Sequence, residues 1–315
     1  MAAEGWLDFE RPIADVEEEI EELQAIGGFA DQIAQLRAKS DKLKQKIYAN
    51  LTPWQQVLLA RHPRRPHTTD HIERITQDFV ELHGDRVFGD DPAVIAGIGR
   101  IGSLNLAIVG EEKGRDTRDR IKRNFGMPHP EGYRKALRIM QTAARFNLPI
   151  LTLVDTNGAY PGVGAEERGQ AEAIARNLRE MSVLPVPIVV VVAGEGGSGG
   201  ALAIAVGNRV LVMENAIYSV ITPEGCASIL WRDGSRAEEA AGVLKITSRY
   251  LLEFKIVDEV IPEPLGGAHQ DWDAAAAALK EVVLRNFAEL SKLSGDELIA
   301  QRIEKFRSMG VYTTA

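Results

Sequence analysis

The stretch that most constrains this chain is Ile188-Val189-Val190-Val191-Val192-Ala193, which runs without a break into Gly194-Glu195-Gly196-Gly197-Ser198-Gly199-Gly200-Ala201. A continuous β-branched run is expected of a central strand covered on both faces. Pro187 precedes it, where a strand begins without needing that N–H. The glycines let the backbone turn sharply and let another molecule approach it. The helix that opens there leaves N–H donors free in its first turn. A tight strand-to-helix turn uses some of these glycines, but five in seven residues exceeds what one turn requires.

Three short patterns overlap in this run, and they exclude one another. Gly194, Gly196 and Gly199 match a dinucleotide fingerprint, with Glu214 placed for a ribose contact. The helix that follows is short for the usual crossover. Gly196-x-Ser198-x-Gly200 matches a nucleophile elbow, with His269 the one histidine downstream to serve as base. The third reading is a backbone oxyanion hole, whose fixed donors need no reorganisation as charge develops. A second cluster, Asp155-Thr156-Asn157-Gly158-Ala159-Tyr160-Pro161-Gly162, favours the third reading. It too ends an apolar strand and leads into a helix. Ligands of open α/β sheets bind at such strand ends.

Around these clusters strand-like and helical runs alternate. Strands are expected over 94–101, 106–110, 149–155, 188–193, 209–213 and 256–261. Helices are expected over 131–146, 165–181, 199–206, 273–290 and 296–309. This pattern indicates an α/β domain with a largely parallel sheet. Upstream, Ile13, Val16, Ile20, Leu23 and Ile26, then Ile33, Leu36, Leu43, Ile47 and Leu51, repeat at helical spacing on either side of Gly27-Gly28. They predict an antiparallel helical hairpin with an acidic first arm and a basic second. The hairpin serves either as a solvated cover or in assembly. Arg61 to Pro66 reads as a linker or extended strap, and 70–83 as a further helix. The division is therefore an arm at 1–66 and a main domain at 67–315.

Lys plus Arg is 37 against 45 Asp plus Glu, a net charge of −8, which argues against a dedicated nucleic-acid binder. One cysteine, Cys226, forms no internal disulfide or multi-cysteine zinc site; it reads as a buried small residue in a cytoplasmic protein. No run is long enough to span a bilayer. No Walker-type lysine is present, so ATP hydrolysis is not expected in this chain. The basic stretch with Lys113, Arg115, Arg118, Arg120, Lys122 and Arg123 either meets phosphates or an acidic face on a partner, or is a solvated helix paired with Asp116 and Asp119.

The runs 123–128, 130–136, 158–170, 194–201, 223–231 and 261–269 resemble the carboxyltransferase alpha subunits of bacterial and plastid acetyl-CoA carboxylase, nearly end to end. The resemblance implies a crotonase-like fold, a spiral of ββα units. It implies pairing with a beta subunit, commonly as α2β2, and an active site between the two. There the carboxyl group of carboxybiotin, borne on biotin carboxyl carrier protein, passes to acetyl-CoA to give malonyl-CoA, the committed step of fatty-acid synthesis. ATP is used by the separate biotin carboxylase, and no metal is implied in this chain. The resemblance places the biotin oxyanion hole at Gly199-Gly200 and a facing donor loop at Gly158-Ala159. Gly196, Gly197, Tyr160, Pro161 and Gly162 would shape the carboxybiotin pocket, and Lys113 and Arg115 would reach CoA phosphates. Enterobacterial members carry proline at the position of Asn157 and His-Gln at Glu111-Glu112.

Overall fold

The computed structural model describes residues 5–310. Its eight strands form one sheet: β1 (Gln77–Glu81), β2 (Val94–Ile101), β3 (Leu104–Glu111), β4 (Ile150–Thr156), β5 (Ile188–Gly197), β6 (Arg209–Met213), β7 (Ile217–Ser219) and β8 (Glu259–Ile261). The order is β1-β2-β3-β4-β5-β6-β8, with β7 on β5. The first three strands pair antiparallel and the rest parallel. Every residue of β4 and β5 is buried, as the apolar runs require.

The helices are α1 (Arg11–Ile26), α2 (Ala30–Tyr48), α3 (Pro53–Ala60), α4 (Thr68–Ile75), α5 (Thr117–Lys122), α6 (Pro130–Arg145), α7 (Val163–Glu167), α8 (Gln170–Ser182), α9 (Ser198–Leu202), α10 (Pro223–Trp231), α11 (Ala237–Leu244), α12 (Ser248–Glu253), α13 (Trp272–Leu290) and α14 (Gly295–Arg307). The predicted hairpin is α1 and α2. It keeps its own small core of Val16, Ile20 and Leu36, separate from that of the sheet. The arms attract as their charges suggest: Lys44 and Ser40 both donate to Glu17, at 2.7 and 2.6 Å.

Three expectations need correction. The helix expected over 70–83 stops at Ile75, and 77–81 is an edge strand. Long-range packing decides this: a Cβ at Gly97 would lie 2.3 Å from the Val80 carbonyl and 2.7 Å from the Phe79 ring, so β2 makes room for β1 with glycine. The helix expected over 165–181 is two helices, broken where Gly169 takes a φ of +83°. The strand expected over 256–261 pairs only from Glu259. The short β7 and helices α3, α5, α10, α11 and α12 had no clear periodicity to announce them.

The C-terminal helix is fastened by a buried cation. Arg302 donates to the carbonyls of Met181, Leu184 and Val186 and to Asn208 Oδ1, at 2.6–2.9 Å. Burial lowers its pKa to about 10. Arg302→Ala would leave the Leu184 and Val186 carbonyls without this donor out of water, at about 1–3 kcal/mol each, while Met181 O and Asn208 Oδ1 keep the Leu184 and Ile188 N–H groups. We expect a fall of at least about 2 kcal/mol in unfolding free energy, read as a lower urea midpoint at unchanged slope. An unchanged midpoint would refute this account.

Candidate active site

The two glycine loops meet. Residues 157–161 after β4 and 198–200 after β5 line one cleft of about 460 Å³, with Gln170, Ile174 and the Val220-Ile221-Thr222 segment as further walls. The approach is backbone to backbone. A Cβ at Gly200 would lie 2.4 Å from the Gly158 carbonyl carbon and 2.5 Å from the Ala159 nitrogen. One at Gly197 would lie 2.1 Å from the Asn157 oxygen. Gly199 differs: its nearest neighbour would be Ile174 at 3.8 Å, so a side chain there has room on the cleft side.

The donors sort themselves by their partners. The Gly158 N–H donates to Thr156 Oγ1 at 3.0 Å. The Ala159 N–H donates to no described main-chain group, and Gly199 and Gly200 stand in the first turn of α9, whose N–H groups have no partner four residues back in the helix. Tyr160 is held by its N–H to the Pro128 carbonyl, and its ring stacks on His129 at 4.2 Å. Gln170 Nε2 bridges the Pro128 and Tyr160 carbonyls. Gly162 is needed because a Cβ would strike the Tyr160 ring at 2.3 Å. Pro161 lines the cleft, while Gly196 is buried in the strand end beneath it.

The competing patterns lose their geometry. Ser198 is exposed with a φ of +52°, but its Oγ has no hydrogen-bond partner among the described residues. His269 is buried beside Glu10 and His62. Glu214 accepts the Glu263 N–H instead of standing free for a ribose. The helix α9 is only five residues long.

The strand end that carries the second loop is irregular on both sides. Through Val192 it pairs with β4 and β6; the β6 pairing then ends, the β4 register shifts before resuming at Thr156–Gly196, and from Glu195 the strand also pairs with β7. Side chains cover the gap. Arg65 Nε donates to the Ala193 carbonyl at 2.8 Å, and Asp155 Oδ1 accepts the Glu195 N–H at 2.9 Å. The Glu195 carboxylate receives Arg61 Nε and Nη2, the latter at 2.6 Å. Lys113 Nζ lies 2.7 Å from Asp155 and 3.7 Å from Glu195. Beneath them Glu111 Oε2 accepts the Asp155 N–H, and burial pushes Glu111 well above the usual carboxylate pKa. Glu112 instead stays ionised: although burial opposes it, His67 and the Thr69 and Gly114 N–H groups hold it at about 2.

The basic stretch is largely committed within the chain. Lys113 serves the network just described. Arg115 pairs with Asp70, donates to the Pro63 and Arg65 carbonyls and lies over the Trp272 ring at 4.4 Å. Arg118 and Lys122 remain exposed. Sequence reasoning passed over Arg61, Arg65 and Glu195. The available signal was a lone carboxylate inside a glycine run, facing an arginine-rich strap.

Because the loops touch through main chain, Gly200→Ala must part them by roughly 1 Å, an overpacking cost of about 1–3 kcal/mol. Differential scanning calorimetry should show a lower Tm for Gly200→Ala and little change for Gly199→Ala. Equal Tm values would contradict the described contact.

A model of the acetyl co-enzyme A carboxylase carboxyltransferase-like family matches residues 6–310. The acetyl-coenzyme A carboxylase carboxyl transferase alpha subunit of Geobacter metallireducens is 54% identical over 98% of both chains. That of Pasteurella multocida is 53% identical over 98% of this chain and 99% of its own. Among solved structures, transcarboxylase 12S superposes with a TM-score of 0.60 at 20% identity, over 72% of this chain and 42% of that one. The beta subunit of P. aeruginosa geranyl-CoA carboxylase gives 0.56 at 18%, over 76% and 46%. This chain thus spans less than half of those chains, and the likeness fixes the fold as crotonase-like α/β. On the family model and the near-complete matches to its members, the chain belongs to the acetyl-CoA carboxylase carboxyltransferase family, with the alpha subunits.

Proposed function

We propose that the chain, paired with a beta subunit, transfers the carboxyl group of carboxybiotin on biotin carboxyl carrier protein to acetyl-CoA, giving malonyl-CoA. The observation that carries this reading is the pair of first-turn N–H groups at Gly199 and Gly200, set in a cleft against Ala159. Such donors stabilise an oxygen as negative charge develops on it, and being fixed by the fold they need no reorganisation.

The residues present fit a flat polar ring. The cleft is walled by Tyr160, Pro161, Ile174 and Val220, and its donors are main chain. Carboxybiotin supplies the carboxyl group to be moved. Gly199 and Gly200 hold the acceptor oxygen through their N–H groups, with Ala159 as the facing donor. Thr156 consumes the Gly158 N–H, so Gly158 acts by its φ of +153° and its lack of a side chain. Gly196 and Gly197 shape the floor, and Tyr160 with Gly162 shapes the rim. The second oxyanion hole, for the acetyl thioester, falls to the beta subunit. Lys113 and Arg115 are engaged by carboxylates of this chain, so CoA phosphates are better served by exposed Arg118, by Lys122 or by the partner.

In this reading residues 1–66 form an arm and 67–315 the carboxyltransferase body. The working assembly is α2β2 together with the carrier protein and an ATP-using biotin carboxylase, in the cytoplasm. No described helix is long and apolar enough to cross a membrane.

The test is the reverse reaction, with malonyl-CoA and biocytin. Acetyl-CoA should form when the chain is mixed with a beta-type subunit and not with either alone. A stable complex that forms none would overturn the reading. Gly199→Ala keeps its N–H but sets a methyl group on the cleft side, so it should lower kcat by about 10²-fold by displacing the bound ring about 1 Å from the donors.

A further inference from the structure

Arg61 belongs to the turn after α3, outside the cleft, yet its guanidinium serves both cleft walls. Nε and Nη2 grip Glu195, one residue before the Gly196-Gly197 floor. Nη1 donates to Glu224 Oε1 at 2.6 Å, and Nη2 reaches Glu224 Oε2 at 3.3 Å. Glu224 lies in the first turn of α10, two residues after Thr222, which closes the opposite wall. Glu195 is buried and Arg61 half-buried, so the pair is shielded from water. A guanidinium is planar and presents its donors in a fixed fork. Two carboxylates seated on one fork therefore have a set separation.

The strand end needs such a brace. Between Val192 and Glu195 the β5 ladder breaks toward both neighbours, and buried backbone groups must find other partners. Arg65 and Asp155 take the main-chain groups at 193 and 195. The β5–β7 pairing carries support as far as Ser219, and Arg61 extends it to Glu224 in the 220–224 segment.

We propose that Arg61 is a positioning residue for carboxyl transfer, setting the distance between the glycine turn at 196–200 and the wall at 220–222. The inference rests on the transferase reading above. It makes the N-terminal arm part of the catalytic unit.

The test uses the full chain, alone and with the beta subunit. In Arg61→Ala and Glu224→Ala complexes, kcat for transfer to biocytin should fall by about 10²-fold, the cost of a misplacement near 1 Å. The KM for malonyl-CoA should stay within about threefold. Arg61→Lys, which keeps charge without the fork, should recover part of kcat. Independently of activity, amide exchange by mass spectrometry should be about tenfold faster over 193–203 and 219–226 in Arg61→Ala, and over 219–226 alone in Glu224→Ala. Glu224 is 42% exposed, so its variant decides the matter should Arg61→Ala fail to fold. A lower Tm with wild-type kcat per folded complex and unchanged exchange would mean a merely structural role and would overturn the proposal. A wild-type complex with no transfer activity would sink the transferase reading instead, leaving the exchange pattern to judge the brace.

Discussion

Past Val192 the fifth strand leaves β6 and takes up β7, while its register with β4 also slips. A strand that changes partners in mid-course exposes main-chain groups that neither neighbour can satisfy. The polar residues around the site are a response to that break. Arg65 and Asp155 supply the missing main-chain bonds, Arg61 holds the Glu195 side chain, and the carboxylates engaged are oriented in turn by Lys113, Asn215 and Ala268. Glu263 shows how strongly: burial favours its neutral form, yet the Arg65 charge and five N–H donors, two from Arg65 and three from Asn215 and Ala268, hold it ionised at about 2. A network of this kind is rigid, because its charges are committed to partners.

That rigidity matters because the site offers its ligand main chain. Backbone N–H groups have no rotamers to adjust, so their aim is set by how the two loops sit against each other. The contacts at Gly197 and Gly200 are closer than any Cβ allows. The glycines thus play two roles that sequence alone merges: Gly197 and Gly200 permit the loops to touch, while Gly199 leaves the cleft open. The oxyanion hole proposed here requires no catalytic side chain, and Ser198 is exposed with no base beside it.

The central architecture was legible because it rests on local pattern. The run from Ile188, the glycines after it and the heptad-like arms around Gly27-Gly28 each carry their own periodicity. What escaped was set by distant contacts. The edge strand at 77–81 depends on Gly97 and Gly99 making room for Phe79, and helix 165–181 is broken by a left-handed Gly169 that resembles any other helix glycine. The meeting of 157–161 with 198–200 was expected, whereas the division of labour among the glycines and the capture of the Gly158 N–H by Thr156 needed coordinates. Arg61 to Pro66 reads as a linker or extended strap because proline disfavours helix before it, which says nothing of burial; Arg65 is among the most deeply buried side chains.

The strap also explains why a helical arm accompanies this fold. Its next residue, His62, packs on His269 at 4.1 Å between ring centres, and Glu10 lies beside both and accepts a hydrogen bond from Tyr48. These residues come from the start of the arm, its second helix, the strap and the loop before α13, so the arm is anchored to the body at the point where Arg61 turns toward Glu195. An arm that merely covered apolar surface would need no buried polar anchor, and burying one is costly unless its partners are fixed. Here the cost falls where it constrains the strap, and the strap in turn constrains the strand end. The anchoring residues are therefore best understood as the outer course of the same brace, with Arg61 as its inner end.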